Sequence, residues 1–148
     1  MAIYRRIPGG PHGPNRYLFE GGSGDDTLIG TWQDEILIGK AGRDLLIGGA
    51  GVDYFMIDSP LEMDHIKDFE ADEKILISPS AFGLSGNFST NYARFSLDTQ
   101  ARTLSFDGQL IAKYDVGSTP PTSMTLQNTV MFVDELSALT SGSGGELM

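Results

Sequence analysis

Short apolar runs recur at a nine-residue interval through the first third of the chain. Thr27-Leu28-Ile29, Ile36-Leu37-Ile38, Leu45-Leu46-Ile47 and Tyr54-Phe55-Met56 each follow six residues dominated by glycine, acids and small polar groups. Runs this short, bounded by turn residues, read as strands and not helices. Alternation along a strand sends the eighth position of each repeat, Leu28, Leu37, Leu46 and Phe55, to one face. The seventh and ninth positions go to the other face. Seven of those eight are large and apolar, with Thr27 the exception, where a solvated strand would be polar. An apolar face of that size is covered or is an interface. At least one outer face is therefore expected to pack against the downstream segment or a second subunit.

The remaining pattern is also strand-like. Asp64–Phe69 and Ile75–Ile77 flank an acidic turn. Tyr92–Leu97, Arg102–Asp107 and Leu110–Tyr114 alternate between turns at Asp98–Ala101 and Asp107-Gly108, and Leu126–Leu136 reads as a last strand. Residues 1–19 are rich in Gly, Pro and Arg and read as a flexible tail or extended lead-in, with Tyr17-Leu18-Phe19 a first strand. Residues 137–148 are small and hydroxylated and read as a flexible tail. The prediction is an all-β protein with one domain over residues 20–136, within a chain of 148 residues.

Charge sharpens this picture. The net charge is −10, and 14 of the 20 acids fall within residues 20–73. Such density repels nucleic acid and calls for divalent cations to neutralise it; without them self-repulsion disfavours the compact state. There is no cysteine, so a secreted form would need a staple other than disulfides. MAIYRRIPGG has no apolar core of a Sec-type signal, and no apolar run reaches transmembrane length.

The four repeats read GGSGDDTLI, GTWQDEILI, GKAGRDLLI and GGAGVDYFM. Gly21–Ile29 and Gly48–Met56 fit G-G-x-G-x-D-x-U-x, with U a large apolar residue, at every defined position. The pattern resembles the calcium-binding nonapeptide of RTX (repeats-in-toxin, haemolysin-type) proteins. The resemblance implies a short parallel β-roll, followed by a C-terminal antiparallel segment packed on it. Glycines permit positive φ and close backbone approach. Turn carbonyls then point at an ion, and the sixth-position acid supplies a charged oxygen. Calcium takes about 6–8 oxygens, more than one turn offers.

In the family two nonapeptides make one coil, so each turn faces the next but one. This implies Ca2+ between Asp26 and Asp44 and between Glu35 and Asp53, with turn donors at Gly22, Gly24, Thr31, Gln33, Lys40, Gly42, Gly49 and Gly51. Thr31, Gln33 and Glu35 depart from the motif, and Asp34 is a substitute for Glu35; the Asp26/Asp44 pair is the better formed. Asp64-His65-Ile66-Lys67-Asp68-Phe69 resembles the segment after the last family repeat, which makes Asp64 and Asp68 candidate ligands.

No catalytic constellation appears. The two histidines are far apart, and neither H-E-x-x-H nor G-x-S-x-G occurs. The expected function is a non-catalytic calcium-binding module that folds on binding Ca2+ outside the cell and supports type I secretion of a secreted bacterial protein. Glu146-Leu147-Met148 is similar to the uncleaved C-terminal signal of that pathway. Two further readings stand beside it: a polysaccharide-recognition module using Trp32, Lys40 and Arg43, and a surface-layer or adhesive component forming homo-oligomers through its apolar outer face.

Overall fold

The computed structural model describes residues 3–7, 16–60, 62–84, 91–117 and 121–133. They form two six-stranded sheets with very little helix. The first sheet contains β1 (Ile3–Ile7), β2 (Arg16–Glu20), β4 (Glu35–Ile38), β6 (Tyr54–Ile57), β8 (Lys74–Ile77) and β12 (Val130–Phe132), in that spatial order. The second runs β3 (Thr27–Ile29), β5 (Leu45–Ile47), β7 (Asp64–Phe69), β11 (Gln109–Val116), β10 (Thr103–Phe106) and β9 (Phe95–Asp98).

From β2 to β8 successive strands alternate between the sheets, and each pairs in parallel with the strand two before it. Thr27 lies opposite Leu45 and Ile36 opposite Tyr54, an offset of 18 residues, or two nonapeptides per layer. The next layer is longer: Leu45 pairs with His65 and Tyr54 with Lys74. The eighth-position residues Leu28, Leu37, Leu46 and Phe55 are fully buried between the sheets with Ile66, Phe69 and Ile75.

The two outer faces differ. On the first sheet Ile36, Ile38, Tyr54 and Met56 are buried with Leu18 and Leu76, and Val52, Met131 and Val133 pack against them. The apolar pattern there is satisfied in part by downstream residues. On the second sheet Ile29 is 59% exposed, and Leu45 and Ile47 are half-buried. His65 points outward there and meets Asp115, Nε2 to Oδ2, at 2.9 Å.

Several expectations need correction. Tyr17-Leu18-Phe19 does lie in a strand, β2, but residues 3–7 are a strand as well and not tail: β1 lies antiparallel to β2, Ile3 opposite Glu20. The Ile-Tyr-Arg-Arg-Ile run seals an edge that would otherwise leave backbone groups unpaired. The C-terminal strands are not a separate layer packed on the repeats. β9, β10 and β11 are antiparallel among themselves, but β11 joins β7 in parallel, and β12 joins β8 in parallel. Each extends a sheet at the edge left open after the last repeat. Leu126–Thr129 is a helical turn, capped by a reciprocal Thr125–Asn128 pair, so the last strand begins at Val130. Residues 134–148, including the secretion-like tail, lie outside the described residues.

Candidate metal centre

Alternation between sheets puts the turns on two flanks. Turns leaving the first sheet, Gly21–Asp26, Gly39–Asp44 and the connection from β6 to β7, stack on one flank. Turns leaving the second sheet, at Gly30–Asp34, Gly48–Asp53 and Glu70–Glu73, stack on the other.

A column of acids runs down each flank. On the first, the Asp26 amide donates to Asp44 Oδ1 at 2.8 Å, and the Asp44 amide to Asp64 Oδ1 at 2.9 Å. On the second, the Glu35 amide donates to Asp53 Oδ1 at 2.9 Å, and the Asp53 amide to Glu73 Oε2 at 3.1 Å. The structure thus stacks Asp26 with Asp44, Glu35 with Asp53, and Asp44 with Asp64. Asp68 closes the fourth turn from the layer beyond, accepting from the Gly48 and Gly49 amides at 2.8 Å each.

The glycines fall where the columns need them. A methyl group at Gly39 would collide with the Asp44 carboxylate, and one at Gly30 with Glu35. Gly42 and Gly51 have positive φ, and a methyl group on either would collide with the carbonyl of Gly24 or Gln33 one layer away. A methyl group at Gly49 would meet the Thr31 carbonyl in the same way. Gly24 and Lys40 also have positive φ, whereas Thr31 and Gln33 do not. The second turn is closed by different means: the Thr31 amide donates to Glu35 Oε1 at 2.8 Å and its hydroxyl to Oε2 at 2.7 Å. Gly22 donates similarly to Asp26 Oδ2 at 2.9 Å.

One oxygen of each central acid is left over. Asp44 Oδ2 and Asp53 Oδ2 are buried and have no hydrogen-bond partner. An unsatisfied buried acceptor is costly and needs an explanation. The electrostatics say the same. Burial raises the Asp44 carboxyl to about 6, with the Asp26, Asp25 and Asp58 charges adding to it and the Asp26 amide opposing. Burial pushes Asp53 up to about 9, helped by Glu73, Glu35 and Asp68 and opposed by the Glu35 amide. Asp64 is raised to about 7 and Glu73 to about 8, chiefly by burial. These columns hold negative charge badly unless a cation joins them.

Among the described residues no three His, Asp or Glu side chains converge into a self-sufficient metal cluster. Each acid is one layer from the next and spends part of its capacity on an amide. An ion held here would take most of its oxygens from turn carbonyls, as calcium, a hard cation, accepts. The donor set of buried carboxylate oxygens and closely approached carbonyls fits that ion.

Sequence reasoning passed over Glu73, Asp25, Glu62 and the amide-binding role of Asp34. Asp25 accepts from the Arg43 amide, Asp34 from Val52 and Glu62 from Gly42. Glu73 was findable, because Asp53 to Glu73 repeats the 20-residue step from Asp44 to Asp64. Trp32, 74% exposed, is on the second flank, whereas Lys40 and Arg43 are on the first. The structure does not bring these three together.

Residues 18–34 and 29–56 match the family model of the RTX calcium-binding nonapeptide repeat, in four copies. The chain carries this repeat in its N-terminal region, and calcium is the ion the family implies. Comparison with curated proteins and with solved structures gives no match.

Proposed function

We propose that the chain is a parallel β-roll module that folds as it binds Ca2+ and supports type I secretion and extracellular stability of a secreted bacterial protein. The observation that carries this reading is the pair of acid columns, each with a buried carboxylate oxygen lacking a partner at its centre. Asp26, Asp44, Asp64 and Asp68, with Glu35 and Asp53, are the proposed charged ligands. Carbonyls at Gly22, Gly24, Thr31, Gln33, Lys40, Gly42, Gly49 and Gly51 complete the shells. When bound, the ion neutralises the columns and cross-links successive layers.

A ligand that binds only the folded state stabilises it in proportion to the logarithm of its concentration. A chain of this kind stays open where calcium is scarce and closes where it is plentiful. Catalysis has no part in this reading. Far-UV circular dichroism during a calcium titration, with magnesium as control, tests it. The expected result is a cooperative gain of β signal with calcium alone. A chain already folded and indifferent to calcium would overturn it.

A self-associating role has one observation in its favour, the exposed Ile29 beside half-buried Leu45 and Ile47 on the second sheet. Calcium-dependent growth in light scattering would support it, and a constant monomer mass would end it.

A further inference from the structure

Lys40 occupies the second position of the third turn with φ of 70°, a conformation that side-chain-bearing residues rarely adopt. Gly49 holds the same position in the fourth turn with φ of 81°, at no steric cost. A lysine retained in a glycine's conformation asks what its side chain does. Its Nζ lies 3.1 Å from Glu20 Oε2, at the end of β2. Asp58 follows Lys40 by 18 residues, and Ile38 pairs with Met56, so Asp58 takes the same place one layer further on. Burial raises the Asp58 carboxyl, and Lys40 is the charge that draws it back down. Lys40 thus sits between two acids, bonded to Glu20 at the end of β2 and level with Asp58 one layer further on, beside the Asp26–Asp44–Asp64 column.

We propose that the Lys40 side chain is a tethered cation, neutralising Glu20 and Asp58 across successive layers as a bound divalent ion would, so that the gap between those two carboxylates takes no calcium while the Lys40 carbonyl still faces the ion of its own turn. An isolated exposed ion pair contributes little, and the Lys40 side chain is 44% exposed. Here one ammonium faces two acids on a flank already crowded with negative charge. The Glu20 side chain is only 19% exposed. The consequence for calcium rests on the calcium reading above; the neutralising role does not.

Three variants of the full chain test it. Lys40→Gln keeps a side chain at the same φ and removes only the charge. Lys40→Gly removes both, and Lys40→Arg keeps the charge. Calcium binding followed by isothermal titration should show roughly one additional ion per chain for Lys40→Gln and Lys40→Gly, with Lys40→Arg unchanged. An unchanged ion count in Lys40→Gln would overturn the proposal. Should the wild type bind no calcium, the calcium reading fails by itself, and thermal melts decide. Lys40→Gln should then melt below wild type in low NaCl and recover in high NaCl, where free counterions replace the lost charge. Equal melting in low salt would overturn the proposal. Should Lys40→Gln fail to fold even with calcium, a folded Lys40→Arg supports it and an unfolded one overturns it.

Discussion

Asp44 and Glu35 hold the same sixth position in adjacent repeats, yet their carboxylates end in different circumstances. The Glu35 oxygens accept from the Thr31 amide and hydroxyl within their own turn, whereas Asp44 Oδ2 is buried without a partner. The extra methylene lets Glu35 curl back onto Thr31, so the second turn satisfies itself without glycine's positive φ. Asp44→Ala should therefore raise the calcium midpoint by roughly tenfold or more, equivalent to about 1.4 kcal/mol, and Glu35→Ala by much less. Parallel calcium titrations of the two variants, read by circular dichroism, check this; equal shifts would sink the assignment. Gly39→Ala places a methyl group against the body of the Asp44 side chain and should lower stability by about 1–3 kcal/mol, measured by denaturant unfolding in saturating calcium. The stacked acids of the repeats were legible because a nine-residue register fixes them. Glu73 falls outside that register, because the third layer is two residues longer, and only the 20-residue step it shares with Asp64 marks it.

Strands within the repeats were equally legible, since apolar runs between glycines leave few alternatives. What local pattern does not contain is which distant strand completes a sheet. β1, β11 and β12 find their places through exposed backbone edges on β2, β7 and β8, and an edge is a property of the assembled sheet. The outer faces show the same division. The apolar seventh and ninth positions foretold a covered face, but not that only the first sheet would have one. Met56→Asp puts a charge into that face, where Met56 is 4% exposed. It should cost several kcal/mol or abolish folding. Lys113→Asp, on the exposed face of the second sheet, should change stability by no more than about 0.5 kcal/mol. Thermal melts of both variants in calcium test the contrast, and similar losses would mean the faces are equivalent.

The acids act together at the scale of the molecule. Asp44, Asp53, Asp64 and Glu73 all have folded-state values above the ordinary carboxylate range, at about 6, 9, 7 and 8. A raised acid contributes stability that is fully present below its unfolded value, near 4, and lost as pH climbs through its folded value. The calcium-free chain should melt highest near pH 4 and lose stability steadily towards pH 9, as calorimetry in calcium-stripped buffer would show. Calcium reverses the trend at the acid end, because protons compete for the same oxygens. Its apparent affinity for the folded chain should weaken as pH falls through the range from about 9 to about 6. A calcium-free melting temperature that rises between pH 5 and 8 would contradict the burial of these columns.

β1 and β12 close opposite ends of the first sheet. Across six strands at about 4.8 Å spacing, the two described ends of the chain stand some 24 Å apart along the stacking direction. Tension applied through them pulls along the hydrogen bonds, not across the strands. Backbone bonds loaded that way open one ladder at a time, like a zip, and offer little mechanical resistance. Ions bound between layers, as proposed above, would lie along the same line of force. Calcium would then make the stack a stiff strut and its removal an extensible tether, and single-molecule stretching in calcium and in chelator would read that difference directly.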